Sequence, residues 1–381
     1  MVALRYQADV LRTVADMERI AADWDVLAAR WGTPVLKADW FLACAETLYD
    51  ESALRVIVVR YHGGLCAVAP LVLVKRRGVE WLELLGASVL YEPTGLIFDG
   101  SASLRYLVKT IMGFRIPTVF DRIPVDSPIG TELRNEACLR GVVIARNTAP
   151  AAYVITKGTW DDHFRSLSGK SRYEFRRLRK NMERVGPVEV RIERPSSRAR
   201  LKVMLHELFQ VEAAGWKGRS GTAMLANDRV RQFIIRYSER ATDQNTLCFC
   251  FLYVQGQPIA ASLSVQDAQR FWGLKIGYDE GWAQCAPGIQ LTMETMKYAF
   301  ECGLEAVEFL GSEESWQARW PLQRHHFLSL VFYPMSLRGL QAVTGDFRRF
   351  AWRRMRQLVA TAASRTNGPV QSQENYGMGV A

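Results

Sequence analysis

The chain has 381 residues, 49% hydrophobic and 23% charged, the balance of a folded protein of two or three domains and not of a disordered or fibrous one. Its longest apolar run, Gly64 to Val74, ends at Lys75 and is too short to span a bilayer. Met1 to Glu18 lacks the basic start and apolar middle of a secretory signal, so a cytoplasmic location is the default expectation.

In chain order, Val14 to Trp31 places Met17, Ile20, Trp24, Leu27 and Ala28 at helical spacing, which predicts an amphipathic helix. A second helix is expected at Phe41 to Leu48. The β-rich runs Leu54 to Tyr61 and Leu65 to Val74 are separated by His62-Gly63-Gly64, a strong hairpin signal. Short strands at Trp81 to Leu85, Leu96 to Phe98, Thr118 and Val142, with a helix after Ser101, complete an α/β unit by about residue 150.

The second half repeats this programme. Trp160 to Val185 reads as one helix, Val188 to Ile192 as a strand, and Arg198 to Ala214 and Arg229 to Ala241 as helices. A second hairpin, Leu247 to Val254 and Pro258 to Val265 around Gln255-Gly256-Gln257, aligns with the first when Gly256 is set against Gly63, which suggests an internal duplication. Then come a strand at Phe271 to Gly277, a loop to Gly288, a helix at Ile289 to Glu301 stopped by Gly303, and a strand at Ala306 to Leu310. Met335 to Arg365 carries seven basic residues and one acidic and reads as a basic helix able to touch anionic lipid or an acidic partner. Residues from Asn367 onward are expected to be disordered.

Charge and cysteine sharpen the picture. Residues 1–150 hold 17 basic and 17 acidic residues, whereas residues 151–381 hold 32 and 22, so the whole net charge of +10 lies in the second half. Within it Arg165 to Lys202 holds 13 basic and 4 acidic residues, a face suited to an anion or simply a solvated helix. Seven cysteines include one C-x-C pair, Cys248 and Cys250, in an apolar run. With no second pair, reduced core thiols are expected and no metal.

The loop Ala286-Pro287-Gly288 at a helix start is the most telling local feature. Unpaired N–H groups at a helix N-terminus, reinforced by the helix dipole, make an anion site for a phosphate or pyrophosphate, and glycine permits close approach. Leu85 to Pro93, the equivalent point of the first half, is expected to lack a glycine-opened helix. The five histidines, His62, His163, His206, His325 and His326, show no spacing that suggests a nucleophile-base set.

Several segments then occur in an order that resembles the CelD/BcsL acyltransferases. They are Leu167 to Arg172 with Arg176-Arg177; Glu212 with Gly215 to Ala223; Gly256 to Ala260; Gly277 to Glu280; Ala286 to Gly288; and Glu308 to Gly311 with Glu313, Glu314, Trp316 and Trp320. The resemblance covers about residues 15–335 and departs at Gln317, where many relatives carry lysine. It is similar to the FemABX transferases and implies tandem GNAT-like domains, each a mixed twisted sheet flanked by helices: residues 1–150, a degenerate copy, and residues 151–335, the active one, followed by a basic helix at 336–366 and a tail at 367–381.

The activity it implies is acyl transfer from acetyl-CoA or another acyl-CoA to an amine or hydroxyl of an envelope polysaccharide, lipid or precursor, with no metal and no covalent intermediate. Ala286, Gly288, Ile289 and Gln290 would hold the CoA pyrophosphate. Tyr278 would protonate the leaving thiolate, Asp279, Glu280, Glu313 or Glu314 would act as base, and Lys217 would bind an anion or polarise the acyl group. Lys170, Arg172, Arg176 and Arg179 would clamp phosphates, with Trp216 and Trp316 against substrate. Each also has a structural reading: helix surface for the cations, core for Trp216, strand end for Tyr278, surface for the acids. Two other functions fit the charge pattern, transfer from aminoacyl-tRNA and non-catalytic binding of polyanions or membranes. Against the first, the sequence shows no inserted coiled-coil arm.

Overall fold

The computed structural model of the protein describes residues 6–138, 140–215, 227–348 and 352. The first half runs β1 (Tyr6–Leu11), α1 (Val14–Arg19), α2 (Ala21–Ala28), α3 (Ala38–Thr47), β2 (Leu54–Tyr61), β3 (Gly64–Arg76), β4 (Val79–Leu84), α4 (Ala87–Leu90), β5 (Ile97–Phe98), α5 (Ser101–Gly113), β6 (Thr118–Pro124), α6 (Ile129–Ala137) and β7 (Gly141–Asn147). The second runs β8 (Ala151–Ile155), α7 (Trp160–Ser166), α8 (Gly169–Val185), β9 (Val188–Glu193), α9 (Arg198–Ala213), α10 (Asp228–Asp243), β10 (Leu247–Val254), β11 (Gln257–Asp267), β12 (Arg270–Tyr278), α11 (Pro287–Glu301), β13 (Ala306–Glu308), β14 (Gln323–His325) and β15 (Phe327–Pro334).

These strands form two mixed sheets flanked by helices, the α/β class expected from the sequence. One sheet has the order β1-β2-β3-β4-β6-β15-β7, with β5 beside β3, and the other the order β9-β10-β11-β12-β13-β8-β14. Position for position the two orders correspond. In both the fourth and fifth strands are parallel and joined through a helix, α5 in one and α11 in the other. The hairpins correspond too. Both His62-Gly63 and Gln255-Gly256 have positive φ at both residues, the two-residue turn whose twist matches its strands, and a register shift falls at the same offset before each turn, at Val59/Arg60 and Leu252/Tyr253.

The sixth strand of each sheet is the one that follows the seventh strand of the other sheet in the chain: β15 follows β14, and β8 follows β7. After β7 the chain crosses to the second sheet as β8, and after β14 it crosses back to the first sheet as β15. Because β15 pairs with β7 from Leu328↔Asn147 to Pro334↔Gly141 and β14 pairs with β8 from Gln323↔Tyr153 to His325↔Ala151, one antiparallel ribbon runs through both sheets. The boundary placed at residue 335 by the sequence therefore differs from the structure, in which residues 327–334 complete the first sheet. Gly141 sits where this ribbon is tightest: an added Cβ would lie 2.1 Å from the Tyr333 carbonyl oxygen and 2.9 Å from Pro334 Cα. Backbone cannot retreat as a flexible side chain can, so Gly141→Ala is expected to destabilise the protein by about 1–3 kcal/mol, read as a lowered urea midpoint at unchanged slope.

One apolar core is common to both halves. Trp24, Trp40 and Phe41 of α2 and α3 join Leu208 of α9, Phe233 and Tyr237 of α10, and Phe249 and Phe251 of β10. Trp40 meets Phe233 and Tyr237 edge-on at 4.9 and 5.1 Å, geometry worth about 0.5–1.5 kcal/mol per pair beyond area burial. The opposite face of the second sheet is covered by Phe175 and Met182 of α8 and by Leu291 and Met296 of α11. Cys248 and Cys250 lie buried there as free thiols.

Three local expectations differ. The helix expected over Trp160 to Val185 is broken at Leu167, which is extended, because the Ser168 hydroxyl accepts the Ser171 N–H and caps a new helix. The helix expected over Val14 to Trp31 breaks at Ile20, where ψ is 3°. Gly86, φ +81°, does open a single helical turn at Ala87–Leu90. Its amide is taken by the Tyr49 hydroxyl and a Cβ there would lie 2.8 Å from Cys44 Sγ, so protein fills that corner. Residues 337–348 are helical; the expected tail at 367–381 and most of 349–366 lie outside the described residues.

Candidate active site

The second sheet opens where two parallel strands separate. β12 pairs with β13 only over Arg270 to Trp272, against Ala306 to Glu308, and its register with β11 shifts between Leu263 and Ser264, leaving Leu274 bulged. A bulge bends and twists a strand, so Gly273 to Tyr278 diverges from Phe309 and the residues after it. Two cavities occupy the wedge. One, of about 240 Å³, reaches from Thr292 and Thr295 of α11 through the gap to Leu90, Tyr91 and Glu92 of the first half. The other, of about 280 Å³, extends along Tyr278 to Gly288 and Ile289. Both are lined by Ile276, Glu314 and Trp316, which makes them one groove.

The start of α11 faces this groove. Ala286 holds φ +46° with no side-chain cap, and Pro287 brings no N–H. The Ile289 and Gln290 amides both turn back to the Ala286 carbonyl, so among the described residues the Gly288 amide is the group of this turn left for a ligand. At the corresponding helix of the first half, α5, the Ser103 side chain folds back over the start: its Oγ accepts the Gly100 N–H at 3.2 Å and donates to Asp99. Close packing sets the groove's width. An added Cβ on Gly288 would meet the Tyr278 ring at 3.3 Å, and one on Gly277 would meet Glu212 at 3.0 Å.

Of the residues picked from the sequence, Tyr278, Ala286, Gly288, Ile289, Glu314 and Trp316 line the groove. Trp316 Nε1 donates to Glu314 Oε2 at 2.9 Å, and its ring stands edge-on to Phe309 and Trp320. Asp279 accepts the Gly281 N–H at 2.8 Å and caps the loop that follows. Glu313 is turned onto Arg324 through two bonds of 2.6 and 2.8 Å, and that hydrogen-bonded guanidinium holds its carboxyl below the usual range. Gln290 is fully buried and donates to the Phe175 carbonyl at 2.9 Å, fastening α11 to α8. Gln317, at the point of departure from the family pattern, is buried and accepts the Glu314 N–H. Lys170, Arg172 and Arg176 lie on α8 outside the groove lining, with Arg176 over the Phe164 ring at 5.4 Å; Arg179 is paired with Glu183 and Glu294. Trp216 and Lys217 lie outside the described residues. Those residues hold no His, Cys, Asp and Glu grouping suited to a metal ion.

Sequence reasoning missed the polar groups that the first half brings to the groove. Glu92, 5% exposed, accepts the Gly311 N–H at 3.1 Å and stands 3.9 Å from Lys275 Nζ. Arg122, 1% exposed, donates to the carbonyls of Tyr91 and Gly311 and lies between the Tyr91 and Phe327 rings. At the closed end of the wedge Glu308, 1% exposed, binds Arg270 and His325 Nε2. No local motif marks Glu92 or Arg122 in the sequence.

A family model described as an acetyltransferase (GNAT) domain matches residues 169–318. No curated protein matches the chain. Among solved structures, FemX is 13% identical, with 86% of this chain and 97% of that one covered and a TM-score of 0.55. The C-terminal domain of a proposed lysylphosphatidylglycerol synthetase from Agrobacterium fabrum is 11% identical over 88% and 96%, with a TM-score of 0.54. L-PGS from Bacillus licheniformis is 12% identical over 82% and 91%, with a TM-score of 0.51. At such identities the likeness is one of fold. Residues 169–318 contain β12, β13, α11 and Trp316, so the region matched by the family model and the groove coincide.

Proposed function

We propose that the protein transfers an acyl group from acetyl-CoA or another acyl-CoA to an envelope polysaccharide, lipid or related precursor, as a relative of the CelD/BcsL acyltransferases. The observation that carries this reading is the wedge between β12 and β13 beside an uncapped helix start, since an extended thioester arm fits between diverging strands while its diphosphate meets the Gly288 amide and the helix dipole. The residues at the groove suit a direct attack. The acceptor adds to the thioester carbonyl, backbone donors stabilise the oxyanion, and the Tyr278 hydroxyl protonates the leaving thiolate. In this reading Lys170, Arg172 and Arg176 gather anionic substrate from the surface of α8, Trp216 and Trp316 bind it, and Lys217 binds an anion or polarises the acyl group.

Thermal unfolding with increasing acetyl-CoA tests the proposal. A saturable rise in Tm is expected, equivalent to about 2.7 kcal/mol at a hundredfold excess over Kd; no rise with any acyl-CoA overturns it. Transfer from aminoacyl-tRNA is the second reading. The basic surface of α8 favours it, as do the solved structures of similar fold described as FemX and L-PGS, and it predicts binding of charged tRNA that weakens steeply with salt. No helix among the described residues is long and apolar enough to cross a membrane. Helix 337–348 exposes Leu337, Leu340 and Phe347 and Arg338 beside them, which supports peripheral contact with anionic lipid.

A further inference from the structure

We infer that the outer face of the first sheet, together with the helix 337–348 that crosses it, is a docking site for an anionic lipid surface, on which the helix lies flat with its apolar stripe immersed. The inference develops the lipid contact named above into a defined surface and does not depend on the acyl donor. Leu337, Leu340, Val343 and Phe347 recur at spacings of three and four residues, which puts them on one side of the helix. That side faces outward: Leu337 is 80% exposed, Leu340 62% and Phe347 69%. Thr344 turns its hydroxyl onto the Leu340 and Gln341 carbonyls, so its donor needs no water.

The other side of the helix is fastened to the sheet. Ala342 is buried with Trp81 and Tyr333, and at Gly339 the Pro334 carbonyl leaves no room for a Cβ. The apolar surface then continues onto the edge strand β7. Val142 and Ile144 stand opposite Tyr333 and Val331, hence on the same face of the sheet, and both are exposed. Single exposed apolar side chains are ordinary, but a helix stripe continued by a strand marks a surface that something covers.

Charge decides what covers it. Arg77, in the β3–β4 turn, donates to the Gly345 carbonyl at 3.4 Å. At the other end of the helix the Arg115 carbonyl accepts from the Ser336 hydroxyl and the Arg140 carbonyl from the Met335 N–H. Three cations of the first half thus flank the two ends of the helix, which adds Arg338 and Arg348 of its own. The acids beside it are answered, Glu80 by Arg338 at 3.2 Å and Asp346 by the Tyr333 hydroxyl at 2.7 Å. An apolar stripe inside a collar of arginines fits a membrane surface, negative at the headgroups and apolar beneath them. A second copy would bring the same arginines face to face. Residues 349–381, with five arginines and one glutamate, offer the collar no counter-charge.

Sedimentation of the full chain with vesicles tests the inference, comparing phosphatidylcholine alone with phosphatidylcholine containing about one third phosphatidylglycerol. Wild type is expected to favour the anionic vesicles by about tenfold or more. Leu337→Ser with Phe347→Ser alters no charge and leaves Gly339 and Ala342 in place, so Tm is expected to hold while partitioning falls about tenfold. Arg77→Gln with Arg115→Gln is expected to lose about fivefold per cation on anionic vesicles, a difference that added salt narrows. Wild type that binds both vesicles alike or neither, or either pair of variants binding within about twofold of wild type, overturns docking through this face. A lipid-free dimer that the Ser pair dissociates overturns it in favour of a second copy. Since no arm contains acyl-CoA, failure here leaves the donor reading standing, and failure of acetyl-CoA to bind leaves this surface standing.

Discussion

Gly288→Asp is expected to weaken acetyl-CoA binding by about a hundredfold, near 2.7 kcal/mol, while leaving the fold within about 1 kcal/mol of wild type. The two effects diverge because the same charge acts on different partners. A carboxylate in the first turn of α11 interacts well with the helix dipole, which favours folding, yet it stands where the donor's diphosphate must lie. Space is not the main obstacle: the new Cβ meets the Tyr278 ring at 3.3 Å and Ile276 Cδ1 at 3.9 Å, contacts that a shift of a few tenths of an ångström relieves. Gly288→Asn, of equal size and no charge, separates the terms and is expected to keep more than half of the binding free energy lost by Asp. Added salt should narrow the gap between them. Titration of acetyl-CoA into both variants checks this, and equal binding by Asp and wild type would remove the diphosphate from this helix start.

The second large effect concerns the contact that holds the first half against the groove. Arg122 is buried with φ +56°, its guanidinium 4.9 Å from the Tyr91 ring and 4.8 Å from the Phe327 ring. Arg122→Ala opens a cavity between those rings, leaves the Tyr91 and Gly311 carbonyls without donors, and removes a positive neighbour of Glu92. Losing one partner of a buried charged network costs about 3–5 kcal/mol, and urea denaturation should show it. Lys at this position retains the charge but cannot fork to two carbonyls, so Arg122→Lys is expected to recover less than half. A loss below about 1 kcal/mol for Arg122→Ala would mean that the ring and carbonyl contacts contribute little.

What the sequence disclosed and what it withheld divide along sequence separation. His62-Gly63 and Gln255-Gly256 announce themselves because a two-residue turn is written in adjacent residues, and the same holds for Ala286-Pro287-Gly288. Tyr278, Gly288 and Trp316 were legible through their local motifs, and the groove does collect them. Glu92, Arg122 and Lys275 were not: their meaning arises only when Tyr91, Gly311 and Phe327, far apart in the chain, come together. β8 and β15 escaped notice for a similar reason. Phe327 to Pro334 is an apolar run with strand character, but nothing near it says that its partners are β6 and β7 across the molecule. Glu313 shows the converse, an acidic residue in a suggestive motif that the fold turns onto Arg324.

The exchange of β8 and β15 also sets an order of events during synthesis. β6, ending at Pro124, has β4 and β15 as its neighbours, and β15 ends at Pro334. At about 5–20 residues per second, the intervening 210 residues (334 minus 124) take roughly 10–40 s to be made. Throughout that interval the nascent first half presents an open strand edge beside Phe120 and Ile123, the kind of edge that recruits other chains. The protein's yield in a cell therefore depends on how well that edge is sheltered at the ribosome, and slowing translation after residue 124 should raise the aggregated fraction without altering the stability of the finished molecule.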